Sequence, residues 1–194
     1  MNKLNKTDLY SLEEYAEKRG DMRAEVMEHK RNRRLAIGPN ATLYFEDRLT
    51  IQYQIQEMLR IEKVFEADAI EEELETYNPL IPNGSNWKAT FMLEYDDEEE
   101  RKKQLGLLLG VDRAVWLKVG EHDPIVPITN EDLERETETK TSSVHFMRFE
   151  LTQEMIRDLK QGTSLSAGID HDAYRYSLEP IPANIQEALI KDLD

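Results

Sequence analysis

Val144-His145-Phe146-Met147-Arg148-Phe149-Glu150-Leu151 alternates with period two, placing His145, Met147, Phe149 and Leu151 on one face and Arg148 on the other. It reads as a strand half-buried in a sheet. A helix from Thr152 to Gln161 follows, stopped by Gly162, then a strand from Ser164 to Ile169, a turn at Asp170-His171-Asp172 and a strand from Tyr174 to Leu178. The order strand, helix, strand, strand also describes residues 87–128. There Ala89 to Tyr95 forms the first strand, Asp97 to Leu109 the helix ended by Gly110, Ala114 to Val119 the second strand and Ile125 to Ile128 the third. Phe91-Met92 matches Phe146-Met147, Gly110 matches Gly162, and His122-Asp123 matches His171-Asp172. Two such βαββ units can pair about a pseudo-twofold axis into one antiparallel sheet or half-barrel. The expected class is therefore α+β, a single domain over 1–194.

Working outward, residues 1–80 are mainly helical in pattern. Ser11 and Glu14 have capping-box spacing, a second helix is expected from about Asp21 to Arg31, and Gly38-Pro39-Asn40 forces a turn before a strand at Ala41 to Phe45. Asp47 can cap a helix whose apolar side carries Ile51, Ile55, Met58, Leu59 and Phe65. Another helix should begin near Asp68, with Glu71 completing a capping box, and stop before Asn78-Pro79. Pro182 opens a closing C-terminal helix. These helices are expected to pack on the sheet.

The 194 residues include no cysteine, which excludes disulfides, a thiol nucleophile and cysteine-ligated zinc or iron–sulfur clusters. The net charge of −15 repels a phosphate backbone, so no nucleic-acid partner is expected. The charge is uneven. Residues 1–40 hold nine basic and seven acidic groups, with Lys30, Arg31, Arg33 and Arg34 forming a candidate docking patch for an acidic partner. The first eight residues lack the apolar run of a secretory signal and no stretch approaches a membrane span, so a soluble, cytoplasmic protein without a membrane partner is expected.

Nucleotide-binding and hydrolase motifs (GxxxxGK[ST], GxGxxG, HExxH, GxSxG) are missing, which leans against an enzyme. Three sets of side chains remain. His145 and His171, on apolar strand faces, could converge with Glu57 or Glu62 into the two-histidine, one-carboxylate set that suits Fe(II); the plainer reading of each histidine is a hydrogen-bonded core residue. Arg148 with Trp87, Tyr95, Tyr174, Arg175 and Tyr176 could line a small-molecule pocket, or Arg148 could simply pair with Glu94 or Glu150. Glu62 falls on the apolar side of its helix, where Arg48 or Arg60 would have to pair with it.

Phe45-Glu46-Asp47-Arg48-Leu49-Thr50, Tyr53-Gln54-Ile55-Gln56-Glu57-Met58-Leu59-Arg60, Tyr77-Asn78-Pro79-Leu80-Ile81-Pro82, Asn86-Trp87-Lys88-Ala89-Thr90, Lys140-Thr141-Ser142-Ser143-Val144-His145-Phe146 and Asp170-His171 together resemble the bacterial domain-of-unknown-function family 3501, over nearly the whole chain. The resemblance carries no activity and no assigned site residues. It implies a genomic context: members are often encoded beside a rubrerythrin-like protein and an iron–sulfur oxidoreductase subunit. The functional expectation is a non-catalytic accessory or docking partner in a bacterial redox, iron- or peroxide-handling system. The alternative is a metal-dependent enzyme or small-molecule-binding protein with its site in the βαββ sheet.

Overall fold

The computed structural model describes residues 3–133 and 135–194; Met1, Asn2 and Glu134 lie outside the described residues. Ser11 opens α1 (Leu12–Arg31) through a capping box with Glu14, and the helix runs unbroken through Gly20, so the separate helix expected from Asp21 is the second half of this one. The Cβ that Gly20 lacks would meet nothing, and the cost of about 1 kcal/mol for a glycine inside a helix is absorbed by packing on either side of it. The chain then forms β1 (Arg34–Ala36), turns at Gly38 in the left-handed region (φ +76°), and returns as β2 (Ala41–Glu46).

Asp47 caps α2 (Arg48–Glu62), its Oδ1 accepting from the Thr50 N–H at 2.9 Å, and Lys63 ends that helix in a left-handed turn. In α3 (Ala67–Tyr77) the capping box expected at Asp68 and Glu71 is replaced by a start at Glu66 without a side-chain cap, two residues before Asp68. Pro79 sits in a short 3-10 turn that stops it. There follow β3 (Asn86–Leu93), α4 (Glu98–Leu107) capped by Asp97, β4 (Val115–Val119), β5 (Ile128–Thr129), β6 (Val144–Glu150), α5 (Gln153–Lys160) capped by Thr152, β7 (Leu165–His171), β8 (Tyr174–Leu178) and α6 (Ala183–Ile190).

The protein is α+β, with two antiparallel sheets where the sequence suggested one. One sheet has the order β1-β2-β3-β6-β5 and the other β4-β7-β8. β3 pairs with β6, Phe91 opposite His145, and β4 pairs with β7, Leu117 opposite Ala167. The reason for two sheets lies in which apolar faces cover each other. Phe45, Trp87, Phe91 and Phe149 of the larger sheet and Val115, Leu117, Leu165 and Ile169 of the smaller join one core, so each sheet covers an apolar face of the other. Helices α5 and α6 add Ile156, Leu159, Ile185 and Leu189 to that core, and the Trp87 indole N–H donates to the Leu189 carbonyl at 2.9 Å. The N-terminal helices build their own packing: Ile51, Ile55, Leu59 and Leu74 join α2 to α3, while Tyr15, Met22 and Val26 of α1 pack against Leu49 and Tyr53 of α2.

Arg33 ties these layers together. It is 2% exposed, and its guanidinium donates to the carbonyls of Phe45 (3.0 Å) and Glu46 (3.1 Å), grips the Asp192 carboxylate with two nitrogens, and lies 3.4 Å from Asp47. One buried cation thus joins β1, the end of β2, the cap of α2 and the C-terminal tail. Burial raises the Asp192 carboxyl pKa more than Arg33 lowers it. Burial also pushes Asp47 up, but Arg33, the Thr50 N–H and His29 together outweigh it and hold that carboxyl low. Replacing Arg33 leaves the Asp192 carboxyl buried beside Asp47 with no cation between them. Arg33→Met is expected to lower unfolding free energy in urea by about 3 kcal/mol or more, with partial recovery in Arg33→Met/Asp192→Leu. An Arg33→Met loss under about 1 kcal/mol, the range of a surface pair, contradicts this role.

Candidate functional site

On β6 the alternation sends His145, Met147 and Phe149 inward, and Phe146 and Arg148 to the opposite face. On β3 the residue directly across from Arg148 is Lys88. Like charges placed opposite each other on paired strands are destabilising, so this arrangement has a cost that the surroundings must offset. Both cations line a cleft of about 470 Å³ between the sheet and the N-terminal helical layer, walled by Tyr77 and Leu80 on the helical side and by Phe146 on the strand. Volume and mixed lining fall in the range of small-molecule sites.

The Arg148 guanidinium is held in a fork by Glu131, Nε to Oε2 at 2.9 Å and Nη2 to Oε1 at 2.7 Å, while Nη1 contacts Glu150. Asn86 in turn donates to Glu150 at 2.9 Å. Lys88 has no side-chain hydrogen bond or ion pair among the described residues, and its pKa is lowered, first by burial and then by Arg148. The cleft therefore presents a paired cation and, beside it, an ammonium with no hydrogen bond or ion pair among the described residues.

The other residues expected to line a pocket with Arg148 are elsewhere. Trp87 is fully buried core, edge-on to Phe45. Tyr95, Tyr174, Arg175 and Tyr176 line a separate, polar hollow of about 320 Å³. There the Tyr174 hydroxyl donates to the Ile37 carbonyl and accepts from the Asn40 N–H, and Arg175 is paired with Asp170. Tyr174 thereby fastens the β1–β2 turn to β8. Lys88, which the sequence reading passed over, takes the place these residues were expected to fill.

The proposed metal ligands are dispersed, and no group of three or more His, Asp or Glu among the described residues is placed to hold a metal ion. His171 donates from Nε2 to the Leu109 carbonyl at 3.0 Å and accepts the Ala173 N–H at Nδ1. Glu57 accepts two hydrogen bonds from Arg19 (2.7 and 2.9 Å) and one from the Tyr15 hydroxyl (2.7 Å), and Arg19 is the main reason its carboxyl falls to about 2. It is a clasp between α1 and α2. Glu62 is exposed, because α2 ends at the next residue and its packed stripe has already closed at Leu59. Neither expected partner serves it: Arg48 pairs with Asp8 and Arg60 with Glu57. Of the expected basic docking patch, Arg33 is buried, while Arg31, paired with Glu28, and Arg34, over the Tyr44 ring, stay exposed.

The family described as "Protein of unknown function (DUF3501)" matches residues 3–193. The chain belongs to this family. A solved structure from Burkholderia pseudomallei K96243, described as a novel protein of unknown function, is 45% identical with a TM-score of 0.93 over the whole of both chains. No curated protein matches the chain.

In this DUF3501 protein the remaining candidate, His145, is fully buried, and its partners fix its tautomer. The Ser142 carbonyl, 3.0 Å from Nε2, can only accept, so Nε2 carries the proton; Nδ1 then accepts from the Asn130 amide at 3.2 Å, with the Thr141 hydroxyl also 3.0 Å from Nε2. The same Asn130 amide donates to the Oδ2 of Asp112 at 3.2 Å, and Thr129 donates to that oxygen at 2.7 Å. Asp112 is 1% exposed, and its Oδ1 has no partner. Asn130 adopts φ +52°, a left-handed conformation that this pair of hydrogen bonds holds in place.

Burial lowers the His145 pKa, against the pull of Asp112 and Glu136 and with the push of Arg135. The folded chain thus keeps His145 neutral where the unfolded chain, with an ordinary histidine pKa of about 6.5, binds a proton. Stability is full above about pH 6.5 and falls as pH drops towards the folded value, by up to about 1.4 kcal/mol per unit from this group. Urea unfolding at pH 7.5 and 5.5 is expected to show a pH-dependent loss roughly 1 kcal/mol larger in the native chain than in His145→Gln. Equal losses in the two would mean that His145 is not held neutral.

Proposed function

We propose that this protein binds a small molecule carrying an anionic group and an apolar body in the cleft between the N-terminal helices and the five-stranded sheet. The observation that carries the reading is the Lys88–Arg148 pair. Two cations are set opposite each other on neighbouring strands, one of them without a side-chain hydrogen bond or ion pair among the described residues, at the foot of an apolar wall. Like charges so placed cost stability, which Glu131 and Glu150 offset at Arg148 and a ligand's anionic group would offset at Lys88. The cleft brings cations together with a hydrophobic wall, a combination that supports recognition and the role of a binding protein.

A second reading is docking to a rubrerythrin-like or iron–sulfur protein of a redox, iron- or peroxide-handling system in the cytoplasm. A net charge of −15 supports it by favouring a basic partner surface. Among the described residues no helix is long and apolar enough to cross a membrane. The two readings are compatible, since a binding protein can present its ligand to a partner. Co-elution with such a partner at low salt, lost as ionic strength rises, supports docking. No association at any salt concentration removes it.

For the cleft, thermal melting is the direct test. Millimolar decanoate or decyl phosphate is expected to raise the melting temperature while decanol does not, because a ligand that binds only the folded state stabilises it by mass action. Lys88→Met and Arg148→Gln should each weaken the effect by about tenfold in ligand concentration, as expected for loss of a charge-assisted hydrogen bond. An equal response to decanol, or full response in both variants, removes the reading.

A further inference from the structure

We propose that the ligand is a monocarboxylate, and that Glu131 is its built-in competitor, occupying the Arg148 fork until the ligand's own carboxylate replaces it. The inference rests on the cleft reading above and adds a ligand class and a mode of control.

The seat is already in use by a carboxylate. Glu131 meets Arg148 through two parallel hydrogen bonds at 2.9 and 2.7 Å, the planar match that a guanidinium makes with a carboxylate. Its side chain is 52% exposed, so it can rotate into water, and an ion pair at that exposure contributes little. Nothing else in the segment has to move. Asn130, next to it, is pinned by its N–H to the Phe146 carbonyl at 2.9 Å and by its amide to Asp112 and His145. Further on, Arg135 pairs with Asp132 and lies 4.5 Å over the Phe146 ring, and Glu136 accepts from the Gly110 N–H at 2.6 Å and from Arg113 at 3.0 Å. Glu131 is thus a mobile side chain on a held backbone.

Charge selects a single negative group. Glu150 sits on β6 itself and is held by Asn86, so it stays on Arg148 when Glu131 leaves. Lys88 and Arg148 against Glu150 then leave one positive charge, which a carboxylate neutralises. A phosphate dianion would bring a second negative charge towards Glu150 and Asp132. What the ligand has and Glu131 lacks is an apolar body to lay along Tyr77, Leu80 and Phe146, and that contact drives the exchange.

The test is titration calorimetry at pH 7.5 with decanoate, 2-naphthoate and decyl phosphate as probes, on the native chain, Glu131→Gln, Asp132→Asn and Arg148→Gln. The carboxylates are expected to bind more tightly than decyl phosphate. Glu131→Gln should bind them about fivefold more tightly than the native chain, the scale of an exposed ion pair that no longer competes. Asp132→Asn removes the same charge from the same cleft without touching the Arg148 fork, and should stay within about twofold of native, in line with a screened surface charge. Arg148→Gln should bind the carboxylates about tenfold more weakly than the native chain. Equal tightening in Glu131→Gln and Asp132→Asn, no tightening in Glu131→Gln, or a preference for decyl phosphate overturns the competitor while leaving the cleft standing. No binding of any probe to the native chain or Glu131→Gln overturns the cleft reading and the inference with it.

Discussion

The Arg33 guanidinium is the constraint on which the rest of the structure depends. A fully buried cation is tolerable only when every donor is satisfied and its charge is balanced nearby, and here the partners come from two places far apart in sequence: the consecutive residues Phe45, Glu46 and Asp47, through two carbonyls and a side chain, and the Asp192 carboxylate. The chain must therefore bring its C-terminal tail against the start of its own sheet. The same contact sets where α2 begins, because Asp47 both faces Arg33 and caps that helix.

Local signals in the sequence were read where local physics decides. The capping box of Ser11 and Glu14, the Asp47 cap, the glycine stops at Gly110 and Gly162, and the alternation of β6 all stand in the structure. The errors came where distant contacts decide. Gly20 does not break α1 because packing of Tyr15 on one side and Met22 and Val26 on the other carries the helix across it. Two sheets replace one because the choice depends on which apolar face covers which, and alternation alone is silent on that. Glu62 was placed on a buried face by helical spacing, but the helix ends before that face continues.

The candidate site was half legible for the same reason. The period of β6 placed Arg148 opposite His145 in orientation, and that is where both are found. The partner that matters to Arg148, Lys88, is an ordinary lysine within its own strand and becomes informative only through the register of β3 against β6. The tyrosines stand out by type, yet the Tyr174 hydroxyl is spent on fastening the β1–β2 turn and the Tyr176 ring packs against that of Tyr174. Residue type proposed them; hydrogen-bond partners assigned them. His145 followed its plainer reading, a core histidine with each ring nitrogen committed.

Strand β6 connects the two polar regions that remain. Its inward face holds His145, which with Asp112 fixes Asn130; its outward face holds Arg148, which grips Glu131, the very next residue. Consecutive residues of the preceding segment are thus fastened to opposite faces of one strand. A two-residue clamp of this kind needs the first residue to turn sharply, which is the left-handed conformation of Asn130. The buried side of the clamp is enclosed and held by hydrogen bonds, while the exposed side is charged and exchangeable. Only with the backbone fixed by the first can the side chain on the second be released without loss of the fold, and this asymmetry places the adaptable contact of the molecule at Glu131.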